Sequence, residues 1–163
     1  MTPEMHPALE HLSFLVGRWH GLGIVGYPTI SEARYEQEVS FSYDGRPFLT
    51  YTSTSWLIDT EGARLRPSAT ESGFWRPGKE PRDVEVMLAH ASGIVEIYVG
   101  EVVFHKIELT SEVVARTETA KDVKGFHRLY GLVDGGDLAY AIDMAAVGNP
   151  LQAHLSARLQ KID

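Results

Sequence analysis

Met144 and His154 are the two residues near the end of this 163-residue chain best suited to meet a metal cofactor. They lie in residues 137–161, DLAYAIDMAAVGNPLQAHLSARLQK. This stretch reads as two strands joined by a turn at Gly148-Asn149-Pro150. In the first strand Leu138, Tyr140, Ile142 and Met144 share one face, by period-2 alternation. In the second, Leu151, Ala153, Leu155, Ala157 and Leu159 share one face. His154 falls on the other, with Gln152, Ser156 and Arg158. A histidine on a polar strand face is ordinarily solvated, so this spacing by itself does not make His154 a ligand.

The remaining chemistry is sparse. The chain has no cysteine, which removes disulfides, thiolate nucleophiles, zinc-thiolate sites and covalent C-x-x-C-H haem attachment. Seven histidines are scattered at positions 6, 11, 20, 90, 105, 127 and 154. None forms an H-x-H, H-E-x-x-H or i,i+4 pair, which argues against a three-ligand zinc site. Gly21-Leu22-Gly23 does not open a helix, so it is a poor dinucleotide fingerprint. Ser72-Gly73 and Ser92-Gly93 read as turns without a nucleophile elbow.

These residues must be positioned by strands. At this length, with 44% hydrophobic and 23% charged residues, the chain is expected to form one domain, residues 1–163, with a proper core. A net charge of −7 argues against nucleic acid or an anionic membrane as partner. The N-terminus shows no signal-peptide pattern and no apolar run is long enough to span a bilayer, so the expected setting is cytoplasmic. Residues 7–16 carry the helical spacing of the chain, with Leu9, Leu12, Leu15 and Val16 on one face. Gly17-Arg18-Trp19-His20-Gly21-Leu22-Gly23 suggests a bent strand that approaches a neighbour closely. Strands are expected at 33–43, 48–58, 71–76, 83–90, 94–103, 106–116 and 126–133, before the final pair. Asp44-Gly45, Glu61-Gly62 and Ser92-Gly93 are turn signals. About ten short strands at this regular spacing point to an all-β, ten-stranded antiparallel up-and-down β-barrel with a short N-terminal helix. Such a barrel closes its own edges and encloses one small ligand. A polar-face position such as His154 can then point into a cavity.

Five motifs occur in order: Gly17-x-Trp19-x-Gly21-x-Gly23, Tyr27-Pro28-Thr29-Ile30, Asp44-Gly45-x-Pro47-Phe48-Leu49, Glu71-Ser72-Gly73-Phe74-x-Arg76 and Asn149-Pro150-Leu151-x-x-His154-Leu155. Together they resemble the nitrobindins, small haem-binding barrels shaped like lipocalins and fatty-acid-binding proteins. The resemblance covers nearly the whole chain. It implies one non-covalent haem b per chain, with His154 as iron ligand and the single catalytic group. It implies haem contacts from Thr29, Lys121 and Met144. It implies that ferric haem binds nitric oxide and isomerises peroxynitrite to nitrate; the sequence leaves homodimer formation open. One departure stands out. Family members often carry a distal histidine two positions before the glutamate of the Glu-x-Gly motif, where this chain has Ala69, preceded by Ser68. Pro67 leaves open that residue 69 sits in a loop between Arg66 and Glu71, away from the pocket. An alternative to the enzyme is a lipocalin-like carrier of a small apolar ligand.

Overall fold

The computed structural model describes residues 3–163. Ten strands alternate in direction: β1 Gly17–Tyr27, β2 Ile30–Ser42, β3 Leu49–Ile58, β4 Arg64–Pro77, β5 Asp83–His90, β6 Ile94–Val103, β7 Lys106–Arg116, β8 Val123–Leu132, β9 Leu138–Ala146 and β10 Gln152–Lys161. Each pairs with its sequence neighbours, and β1 also pairs with β10, which closes the barrel. Closure leaves no strand at a sheet edge among the described residues, although β4 before Glu71 and β7 beyond Thr110 run past their partners β5 and β8. Among the described residues no helix is long and apolar enough to cross a membrane.

The expected helix forms at Pro7–Leu15, as a 3-10 helix rather than an α-helix. Its sequence explains the choice. Leu9, Leu12 and Leu15 recur every three residues, and in a 3-10 helix i and i+3 superimpose. All three are 0% exposed. Pro7 opens the helix, and His6 Nδ1 accepts from the Ala8 N–H at 3.1 Å. The helix plugs the end of the barrel where β1 begins: Trp19 Nε1 donates to the Leu15 carbonyl at 2.9 Å, and His11 Nε2 donates to the Asp83 carbonyl at 2.9 Å. The hairpins β1–β2, β3–β4, β5–β6, β7–β8 and β9–β10 surround the opposite end, the mouth.

Several boundaries differ from the sequence reading, with β2 starting at Ile30 and β8 at Val123, each earlier than expected. β4 starts at Arg64, so residues 64–70 are strand and not loop. β1 runs on to Tyr27, leaving Pro28 and Thr29 as a two-residue turn. The β6–β7 turn carries no glycine signal, because Phe104 and His105 themselves adopt φ of 49° and 59°.

The glycine motif of β1 reflects close approach. A Cβ on Gly23 would collide with the Tyr35 ring, and one on Gly21 with the backbone of Arg158 and Leu159. Gly23 thereby lets Tyr35 lie flat across β1 and send its hydroxyl into the interior. Gly23→Val is expected to displace that ring and destabilise the barrel by about 1–3 kcal/mol, the usual cost of overpacking. Urea unfolding of the variant beside the parent checks this, and an unchanged midpoint would refute the packing role.

Candidate functional site

The site is built where β1 and β10 both slip register. The register of β1 slips between Val25 and Tyr27, leaving Gly26 unpaired with β2. The register of β10 slips between Ala153 and Leu155, leaving His154 unpaired with β9. A bulge adds one residue and re-aims a side chain. His154 and Leu155 therefore both line the interior cavity, although they are adjacent in sequence. Simple alternation puts His154 on the outer face; the bulge turns it inward.

The histidine is held on two sides. Its Nδ1 donates to the Gly26 carbonyl at 3.0 Å. The Tyr27 ring meets it edge-on, with centroids 5.6 Å apart. Tyr27 is itself fixed across the barrel: its hydroxyl donates to the Met144 carbonyl at 3.0 Å and accepts from the Ala146 N–H at 2.9 Å. The hydrogen bond to Gly26 puts the ring proton on Nδ1 and leaves the Nε2 lone pair for another partner. Burial pulls the His154 pKa below the ordinary imidazole value, and Lys121 and Arg128 add to that, against the bond to Gly26. The ring is thus kept neutral, as a metal ligand requires.

Of the residues expected at the site, three gather around Tyr27. Met144 is buried beside it, His154 packs on its edge, and Lys121 Nζ lies 5.5 Å from its ring centroid. Thr29 sits at the exposed tip of the β1–β2 turn. Tyr27, read from sequence as part of a motif and a turn, is the residue that ties the others together.

The cavity has a volume of about 250 Å³. Val25, Ile142 and Leu155 form an apolar wall beside His154, and Ser68 and Ala69 lie on the cavity wall as well. Ala69 is in β4, where its N–H and carbonyl both bond the Ser55 hydroxyl at 3.1 Å. In the barrel β10 lies four strands from β4 one way and six the other, so Ala69 faces His154 from across the interior. The loop reading of residue 69 is thereby set aside.

Below Ala69 the interior holds an ionic cluster that the sequence reading missed. Arg128, 1% exposed, donates to both oxygens of Glu71 at 2.9 and 3.1 Å. It also donates to Tyr98 at 2.9 Å, Tyr130 at 3.1 Å and Glu96 at 3.4 Å. His90 bridges the two carboxylates. Burial pushes the Glu71 carboxyl up, but the Arg128 charge outweighs this and holds it well below the usual carboxylate range. Its contribution to stability is therefore present above that range and is lost as pH falls toward the lowered pKa. The signal was available: Glu96 alternates with Ile94 and Tyr98, and Arg128 with Phe126 and Tyr130, on the inward face.

Among the described residues no cluster of three or more histidines or carboxylates could hold a bare metal ion. A metal at His154 must therefore arrive with most of its ligands attached, as haem iron does. A neutral imidazole with a free Nε2, beside an apolar wall and a cavity open on the far side, fits that group.

The fold and site define a closed β-barrel with an internal cavity and one oriented imidazole on its wall. Residues 8–161 match the family described as the THAP4-like, heme-binding beta-barrel domain, and the chain belongs to that family. It is 51% identical to a peroxynitrite isomerase of Frankia casuarinae, over 99% of this chain and 89% of that protein. It is 44% identical to a ferric nitrobindin-like protein of Thermobifida fusca, over 100% and 98% of the two chains. The crystal structure of Rv2717c from M. tuberculosis superimposes with a TM-score of 0.87 at 41% identity, covering 98% of this chain and all of that one.

Arg128→Met is expected to leave Glu71 and Glu96 buried without their cation and to cost about 3–5 kcal/mol, as for other broken buried pairs. Equilibrium unfolding at neutral pH measures it. A loss below about 1 kcal/mol would mean that the cluster is effectively solvated.

Proposed function

We propose that this chain binds one haem b through His154 Nε2 and isomerises peroxynitrite to nitrate at the ferric iron. The observation that carries the reading is the His154–Gly26 hydrogen bond, which presents a neutral, oriented imidazole to the cavity. Haem, when bound, supplies the iron on which the O–O bond rearranges. The chain supplies the rest. Tyr27 and Gly26 orient His154. Val25, Ile142 and Leu155 keep water from the ligand side of the ring. Lys121 stands near the mouth with no carboxylate within 4.0 Å among the described residues, in a chain of net charge −7. It attracts the anionic substrate or a haem propionate there. Thr29 at the turn and Met144 under Tyr27 complete the haem contacts. Ala69 offers a methyl group and no donor of its own to nitric oxide, which is bound as a small neutral ligand. Relatives named peroxynitrite isomerase support the enzymatic reading over the lipocalin-like carrier.

Titration of the apoprotein with hemin tests this. The parent is expected to give a one-to-one Soret transition. His154→Ala is expected to raise the Kd by more than about 100-fold, beyond the cost of losing an outer partner, while circular dichroism stays native. Protonation of Nε2 blocks ligation, so affinity is full at neutral pH and falls as pH drops through the lowered His154 pKa, below about 6.5. A variant that keeps the parent Soret spectrum would remove His154 from the iron.

The outer wall favours self-association. Phe74, Met87, Ile97 and Val113 are consecutive register partners across β4, β5, β6 and β7. Three of them are exposed. A row of apolar side chains on an outward face of a water-soluble barrel is a contact surface, and we assign it to a second copy, forming a homodimer. Ile97→Lys should shift sedimentation from dimer to monomer; a parent that is monomeric at high concentration contradicts the assignment.

A further inference from the structure

Four tyrosines line the cavity: Tyr35, Tyr51, Tyr130 and Tyr140. Three have committed their hydroxyl protons. Tyr51 donates to Glu71 Oε1 at 2.6 Å, and Tyr140 donates to Gln37 Oε1. Tyr35 lies 2.7 Å from the Tyr140 hydroxyl and 3.3 Å from the Ser156 carbonyl, and its proton goes to one of them.

Tyr130 differs. Its oxygen accepts from Arg128 Nη1 at 3.1 Å, and among the described residues no acceptor is bonded to its proton. It cannot turn to Glu71. Oε1 of that carboxylate already accepts from Tyr51 and Arg128, and Oε2 accepts from Arg128 and faces His90. Nor can the ring swing away, because it packs between Trp75 and Tyr140 with centroids 5.2 and 5.5 Å distant. Tyr130 is 5% exposed, and a buried O–H without an acceptor is rare in a native protein. Arg128 also polarises it, since a cation donating into the phenol oxygen makes the O–H a stronger donor.

The same wall sets the class of ligand. All five N–H groups of Arg128 are spent on Tyr98, Glu71, Tyr130 and Glu96. No cation is left to pair with a free anion, and two carboxylates stand beside it. The cavity therefore takes a small hydrogen-bond acceptor that is uncharged, or whose charge is met elsewhere by a metal.

We propose that Tyr130 is a positioning residue whose hydroxyl donates to the acceptor atom of the small ligand held in this cavity. This is the task a histidine at position 69 would perform and the methyl group of Ala69 cannot. Ser53 is the weaker candidate: its proton is also free, but its oxygen accepts from the neutral Gln37 amide, which gives no comparable polarisation. The proposal rests on the haem reading above.

Tyr130→Phe removes the hydroxyl and keeps the ring. Parent and variant are loaded with hemin and titrated with fluoride, which only accepts, and with imidazole, whose outer N–H donates. The variant is expected to bind fluoride about tenfold more weakly, the worth of one charge-assisted hydrogen bond, with hemin and imidazole affinities unchanged. Equal fluoride affinities overturn the proposal. A parallel loss for fluoride, imidazole and hemin assigns Tyr130 to packing and overturns it too. A parent that takes up no hemin defeats the haem reading itself, and this proposal with it. Should the variant not fold, the iron–fluoride stretch of the parent is recorded in H₂O and D₂O: a shift on deuteration reports the donor, and its absence refutes it.

Discussion

One hydrogen bond carries the functional logic of this barrel: the His154 Nδ1–H to the carbonyl of Gly26. It exists because β1 and β10, paired from Trp19 with Lys161 to Val25 with Leu155, both slip register just past that run. At the β1 slip Gly26 has no register partner on β2, and its carbonyl accepts from His154 on β10. The bulge at His154 turns the ring toward it. The bond satisfies the Gly26 carbonyl and chooses the tautomer that leaves the Nε2 lone pair free. Without the paired bulges His154 would be one more polar residue on an outer face, beside Ser156 and Arg158.

The interior divides into two halves with different chemistry. Beside His154 it is apolar, and this half holds the imidazole neutral by denying it water. On the β4–β8 side it is ionic, with Arg128 saturated by Glu71, Glu96, Tyr98 and Tyr130. Such a cluster is a weak source of stability compared with apolar packing, because burying its charges costs about as much as their attraction returns. Its value lies in rigidity. All five N–H groups of Arg128 are committed, so the wall is fixed in place and is not a set of mobile polar groups. Rigid walls also suit a ligand that must be held in one orientation against a fixed imidazole.

Much of this was legible in the chain. Alternation at Leu138, Tyr140, Ile142 and Met144, and turn glycines at 45, 62, 93 and 148, foretold strands and hairpins, and the barrel followed from their regular spacing. Three features were not legible. The helix is 3-10 because its leucines recur every three residues, a spacing that also lies on one face of an α-helix. The β6–β7 turn uses Phe104 and His105 at positive φ, where propensity expects glycine or asparagine. The inward aim of His154 depends on a bulge that period-2 reasoning cannot see, and it was the ordered motifs around it that pointed to the iron. Glu96 and Arg128, by contrast, sat in plain alternation with buried neighbours, and a search for charges on apolar faces would have found them.

The central claim is that His154, oriented by Gly26, is the group that holds the cofactor. A crystal structure of the hemin-loaded protein tests it most directly. The account predicts iron on His154 Nε2, with Nδ1 still bonded to the Gly26 carbonyl and the other face of the haem turned toward Ala69. Iron bound by another residue, or haem outside the barrel with the His154–Gly26 bond intact, would contradict it.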